Sequence, residues 1–125
     1  MIIVFGGAYQ GKTDFVREKF KLDDSELFYC TEKDTLHFKK KCIVHLHKFV
    51  LGAIKRNENA IDFVKQHLSD LKDKIIICDD ISCGIVPLGK ELRQYRDNVG
   101  KIMQILSREA DDVYRVFCGL GEKIK

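Results

Sequence analysis

Short, almost unbroken apolar runs alternate along this chain with longer stretches whose apolar residues recur every three or four positions. Ile2–Phe5 is the first such run and predicts a strand; Phe15, Val16 and Phe20 then fall on a helix predicted from Lys12 to about Phe20. Leu27–Cys30 reads as a second strand. Cys42–Leu46 reads as a short third one, whose extension to Val50 fits a helix equally well. Asn57 or Asn59 begins a helix carrying Ile61, Val64, His67, Leu68 and Leu71, and Lys74–Asp80 is a β-branched run ending in two carboxylates. Beyond a loop with Gly84 and Pro87, the residues Leu88, Leu92, Tyr95, Val99, Ile102 and Leu106 make one apolar face on a helix predicted over residues 89–109. Val113–Cys118 reads as the last buried strand, and Glu122–Lys125 as a short final one. Strands that are apolar on both faces, alternating with helices, predict an α/β fold: a three-layer sandwich with a mostly parallel sheet flanked by helices.

The turn out of the first strand changes this from a fold class to a chemistry. Gly6-Gly7-Ala8-Tyr9-Gln10-Gly11-Lys12-Thr13 is a complete G-x-x-x-x-G-K-T phosphate loop, placed between a strand and a helix as the motif requires. The sandwich is therefore expected to be P-loop NTPase-like. Gly6 and Gly11 are expected to supply the positive-φ turn. The N–H groups of residues 8–13 would converge on a polyphosphate, with the Lys12 ammonium on the β/γ-phosphates and the Thr13 hydroxyl on Mg²⁺. A nucleoside triphosphate, ATP or GTP, is the implied substrate. The second element of such a site is a carboxylate at the end of a neighbouring strand, and Asp79 and Asp80 have that form. Because successive strand residues point to opposite faces, one of the pair can serve the metal while the other does something else.

Composition narrows the rest. A length of 125 residues suits one domain over 1–125, and 45% hydrophobic with 33% charged residues is a soluble globular balance. With 22 basic against 19 acidic residues there is no basic stripe for nucleic acid, and Lys39-Lys40-Lys41 reads as a solvated loop or helix face. No apolar run is long enough to span a membrane, and Met1 opens directly into a strand, so neither a span nor a signal peptide is expected. Cysteines at 30, 42, 78, 83 and 118 are odd in number and form no C-x-x-C pair, which argues against a disulfide framework or a zinc site. Cys30, Cys78 and Cys118 are expected to act as small hydrophobes, and the cytoplasm is the expected compartment. His37, His45, His47 and His67 are read as structural or surface groups. A metal site at His45 and His47 would need further ligands that the sequence does not obviously offer. Arg93 and Arg96, with Asp97 beside them, suit ordinary helix ion pairs better than phosphate binding.

The C-terminal part of the chain carries a more specific signal. Gly84-Ile85-Val86-Pro87, then Arg93-Gln94-Tyr95-Arg96-Asp97-x-x-Gly100, Gln104, Ala110-Asp111-Asp112-Val113 and Lys123-Ile124-Lys125 resemble one family. It is the bifunctional adenosylcobinamide kinase / adenosylcobinamide-phosphate guanylyltransferase family of cobalamin biosynthesis, whose members also open on a strand and a phosphate loop. The resemblance implies transfer of the γ-phosphoryl of ATP or GTP to a corrinoid hydroxyl on adenosylcobinamide, with Asp79 or Asp80 anchoring Mg²⁺ or accepting the alcohol proton. It also implies that Arg93, Arg96 and Asp97 contact substrate or a second subunit, and that the protein is a closed homo-oligomer.

This sequence departs from the family in several places. Family members are longer, and the missing length comes out of the middle. They carry paired histidines followed by Arg-Pro, where the guanylyl group becomes attached; here the stretch is His45-Leu46-His47-Lys48. His45 and His47 are thus the candidate guanylyl acceptors, and without Arg-Pro no adduct is expected. The family's internal strand with an acidic end has no evident separate counterpart, and Asp80 takes the place of a family Glu before G-I-V-P. Gln10 stands where the family has Ser, and Met103 where it has Asn. The shortened middle keeps open a nucleotide-binding module without transferase chemistry, and also a phosphotransferase with a smaller substrate.

Overall fold

The computed structural model describes residues 1–33, 35–81 and 89–125. Its strands are β1 (Ile2–Gly6), β2 (Leu27–Tyr29), β3 (Cys42–Val44), β4 (Ile75–Asp79), β5 (Asp112–Phe117) and β6 (Leu120–Lys123). They form one sheet in the order β2-β3-β4-β1-β5-β6, parallel throughout except for β6, which pairs antiparallel with β5. The helices are α1 (Lys12–Phe20), α2 (Leu46–Lys55), α3 (Ala60–Gln66), α4 (Leu68–Leu71) and α5 (Lys90–Glu109).

Alternation within the apolar runs sends neighbouring side chains to opposite layers. Ile3, Ile43, Ile76 and Val113 pack against Phe49, Val50, Val64, Leu71, Val99, Ile102 and Leu106 from α2 to α5. Val4, Val44, Ile77, Tyr114 and Val116 face the other way, onto Val16 of α1 with Phe15 and Phe20 beside it. Both sheet faces are therefore covered, and this is the mostly parallel, helix-flanked sandwich expected of a P-loop NTPase-like fold. Ile3, Val4 and Ile76 are wholly buried, each contributing about 1.5–3 kcal/mol of hydrophobic stabilisation.

Several elements differ in detail from the sequence reading. The third strand stops at Val44, and the chain turns at His45 (φ 62°) into α2, so the ambiguous stretch beyond it is helical. Asn59 does cap the next helix, its side chain accepting from the Asp62 N–H at 3.0 Å, but that helix breaks at His67 into α3 and α4. The His67 ring lies 4.3 Å from that of Phe63, and its Nδ1 is 2.9 Å from Asp70. On α5 the apolar face is buried at Val99, Ile102 and Leu106 and half-buried at Tyr95, whereas Leu92 is exposed. Leu88 lies outside the described residues, as do Cys83, Gly84 and Pro87. The final strand is Leu120–Lys123 rather than Glu122–Lys125. Cys118 is not a buried hydrophobe: it is exposed in the β5–β6 turn with φ 51°, while Cys30, Cys42 and Cys78 are buried. The lysine run lies in the loop before β3, where Lys41 donates to the Asp73 carbonyl at 2.7 Å.

Candidate functional site

The register of β1 on β4 sets Gly6 level with Asp79, so the phosphate loop leaves the sheet beside that carboxylate. The ladder continues one step further, with the Asp80 N–H donating to the Gly6 carbonyl at 2.8 Å. A cleft of about 370 Å³ lies here, lined on the loop side by Ala8, Tyr9, Gly11, Lys12 and Thr13, and across from them by His45, His47 and Asp79. Ligands of open α/β sheets gather at this C-terminal edge of the strands.

The loop is built differently from the sequence expectation at one point. Gly11 does take the left-handed conformation (φ 85°) at the start of α1, but Gly6 is the last extended residue of β1. The second left-handed position is Tyr9 (φ 60°), whose side chain is fully exposed. Gly6 is required for another reason: a Cβ there would sit 2.3 Å from the carbonyl oxygen of Val116 on β5. Gln10 ties the loop to the same part of the sheet. Its side-chain oxygen accepts from the Cys118 N–H at 2.8 Å, and its carbonyl accepts from the Gly119 N–H at 2.7 Å. The β5–β6 turn therefore braces the loop from behind.

Lys12 is buried despite its charge. Its ammonium donates to the Gly7 carbonyl at 2.7 Å and pairs with Asp79 Oδ1 at 2.7 Å. His47 holds Asp79 from the opposite side. Its Nδ1 accepts from the Asp79 backbone N–H at 3.1 Å, and its Nε2 lies 3.4 Å from Asp79 Oδ2. A neutral imidazole that accepts at Nδ1 carries its proton on Nε2, so that proton faces the carboxylate. His47 is thus neither a surface group nor a bystander. Sequence spacing offers no sign of this contact, because it depends on β3 lying beside β4.

His45, His47 and Asp79 bring ligand-capable atoms within 4.8 Å of one another, so a third candidate ligand for the two histidines exists after all. The set does not suit a transition ion as it stands. Lys12 already places a positive charge on Asp79, and the His47 tautomer leaves no lone pair at Nε2. Arg93, Arg96 and Asp97 do not line this cleft. Arg96 pairs with its neighbour Asp97 at 3.3 Å, and Arg93 is exposed near the start of α5.

The family model for cobinamide kinase / cobinamide phosphate guanyltransferase matches residues 35–124. The chain belongs to this family. Two proteins named bifunctional adenosylcobalamin biosynthesis protein CobU, from Salmonella typhimurium and Escherichia coli, are 37% and 35% identical to it over 51 residues. Those 51 residues are 41% of this chain but only 28% of either relative. The cobinamide kinase family match begins beyond the phosphate loop, so loop and family membership are separate observations. Within this family member, β3 is an internal strand between β2 and β4, and the residue that follows its last position, Val44, is His45 rather than an acid.

Burial draws the His47 pKa down to about 4, and desolvation lowers that of His45 as well. Between the ordinary histidine value of 6.5 and about 4, the unfolded chain binds a proton at position 47 that the folded chain does not. Stability should therefore fall as pH drops through that window and level off below it, by at most about 1.4 kcal/mol per pH unit for one such group. Urea midpoints across the window would measure the slope, and His47→Gln should flatten it. An equal slope in that variant would assign the effect elsewhere.

Proposed function

We propose that this chain, acting as one domain over residues 1–125, transfers the γ-phosphoryl group of ATP or GTP to a hydroxyl of cobinamide in cobalamin biosynthesis. The observation that carries the reading is the convergence of Lys12, Thr13 and Asp79 in one cleft beneath a complete phosphate loop, in a member of the cobinamide kinase family. The acceptor oxygen attacks the γ-phosphorus and forms the new P–O bond, while the bond to the β–γ bridging oxygen breaks and the nucleoside diphosphate leaves. The hydroxyl proton passes to Asp80 or Asp79.

Positioning and charge neutralisation supply most of the catalysis in such a reaction. Lys12 would exchange its contacts with Gly7 and Asp79 for the β/γ-phosphates, and the N–H groups of residues 8–13 would close around them. The hydroxyl of Thr13 and the carboxylate of Asp79 are hard oxygen donors lining the same cleft and fit Mg²⁺, which would neutralise phosphate charge. His47 would keep Asp79 oriented for this. Arg93, Arg96 and Asp97, outside the cleft lining, are assigned to the periphery of the substrate or to contacts in a homo-oligomer.

The test is incubation with ATP or GTP, Mg²⁺ and cobinamide, followed by mass spectrometry of the corrinoid. Phosphorylated cobinamide is the expected product. Tight nucleotide binding with no transfer would favour the binding-module reading instead. Guanylyl transfer is tested separately with labelled GTP and Mg²⁺. No acid-labile, alkali-stable adduct is expected, because His47 is buried with both ring nitrogens facing Asp79 and the Nδ1 of His45 is buried too. An adduct lost on His45→Asn or His47→Gln would reverse that.

A further inference from the structure

A second cleft, also about 370 Å³, opens on the α5 side of the same strand ends. Asp79 lines both clefts, and Asp80 lines this one, so the two meet at the carboxylate pair. Beyond the carboxylates the walls are mainly apolar, from Phe5, Val99 and Met103, with the Gln104 amide among them. Gly100 belongs to the same lining, in the middle of a helix of 20 residues. A glycine there lowers helix stability relative to alanine, yet no atom among the described residues lies within 4 Å of where its Cβ would stand. Packing among the described residues does not require Gly100; an unobstructed cleft does.

We propose that the α5 cleft is the acceptor site, taking the hydroxyl-bearing, uncharged arm of an amphipathic alcohol and bringing its hydroxyl to the Asp79–Asp80 pair. The inference rests on the phosphoryl-transfer reading above, because only a transfer reaction needs a second ligand at the edge of the phosphate cleft. The volume is at the small end of ligand pockets, about 300–1,000 Å³, so the arm enters while the bulk of a large substrate stays outside. Apolar walls hold the arm, and Gln104 supplies one polar contact to orient it. Gly100 acts as a specificity-determining position: bare backbone leaves room for the arm, and any side chain there shortens the cleft.

The experiment compares Gly100→Ala and Gly100→Leu with the unaltered chain, using cobinamide as acceptor. Both substitutions should leave the thermal midpoint unchanged or raised, since nothing among the described residues lies within 4 Å of the Cβ and both residues are better helix formers. The KM for cobinamide should rise stepwise with side-chain size, by at least about tenfold for Leu, while the KM for the nucleotide stays within about twofold. A cobinamide KM unmoved by Leu would overturn the proposal while leaving the kinase reading intact. Loss of transfer through dissociation of an oligomer, seen by sedimentation, would assign Gly100 to a subunit contact and overturn it equally. Failure of the unaltered chain to phosphorylate cobinamide would sink the function reading itself, and the acceptor site with it.

Discussion

Replacing Lys12 by alanine is expected to lower phosphoryl transfer to cobinamide by about 10²–10³-fold with the fold retained. The ammonium is the one positive side chain among the described residues that is paired with Asp79 inside the cleft, 2.7 Å from its Oδ1, and its role would be to meet charge on the β/γ-phosphates. Lys12→Arg should not restore the rate, because a planar fork cannot follow the compact ammonium into a buried position between Gly7 and Asp79. Initial rates with ATP and with GTP, beside the thermal midpoint, measure the effect. Turnover within tenfold of the unaltered protein would remove the phosphate loop from the mechanism.

Gly6→Ala should be the most damaging of the small substitutions. The new Cβ would lie 2.3 Å from the Val116 carbonyl oxygen, a backbone atom in a buried strand that has no side-chain rotamer to yield. Overpacking of this kind costs about 3 kcal/mol at its upper end, which for a domain of this size lowers the melting temperature by on the order of 10 °C. Nucleotide affinity should fall with it, since pushing β1 away from β5 displaces the start of the phosphate loop. Gly89→Ala is the control: nothing lies within 4 Å of its Cβ among the described residues, and its φ of −81° suits alanine. Equal melting temperatures for the two variants would show that the sheet accommodates the extra methyl.

How much of this was legible in the sequence depended on whether the signal was local. The strand-loop-helix at residues 2–20, the apolar run before Asp79 and Asp80 and the long helix each carry their pattern within a few consecutive residues, and each appears where it was expected. The Asn59 cap was equally legible, because a cap is a contact across three residues. Leu92 was placed on the apolar face of the long helix and is nonetheless exposed, because periodicity reports a face, not whether anything covers it. Cys118 was misread because an apolar run says nothing about where its strand ends and a left-handed turn begins.

The candidate site divides in the same way. Lys12, Thr13 and Asp79 were named from motif and strand-end position, and the structure brings them to one cleft. The role of His47 was not readable, because 32 residues separate it from Asp79 and only the pairing of β3 with β4 closes that distance. The same is true of Gln10, which meets Cys118 across 108 residues.

By itself the sequence determined the alternation of strands and helices, the phosphate loop and its acidic neighbour, and the resemblance that the family match bears out. These follow from local periodicity and from residue types that chemistry demands in a fixed order. Tertiary structure alone decided why Gly6 must be glycine, what grips Asp79, and that two clefts share that carboxylate. Each of those depends on which strands lie side by side, and strand order is set by how the whole chain buries its apolar faces, which no short stretch of it encodes.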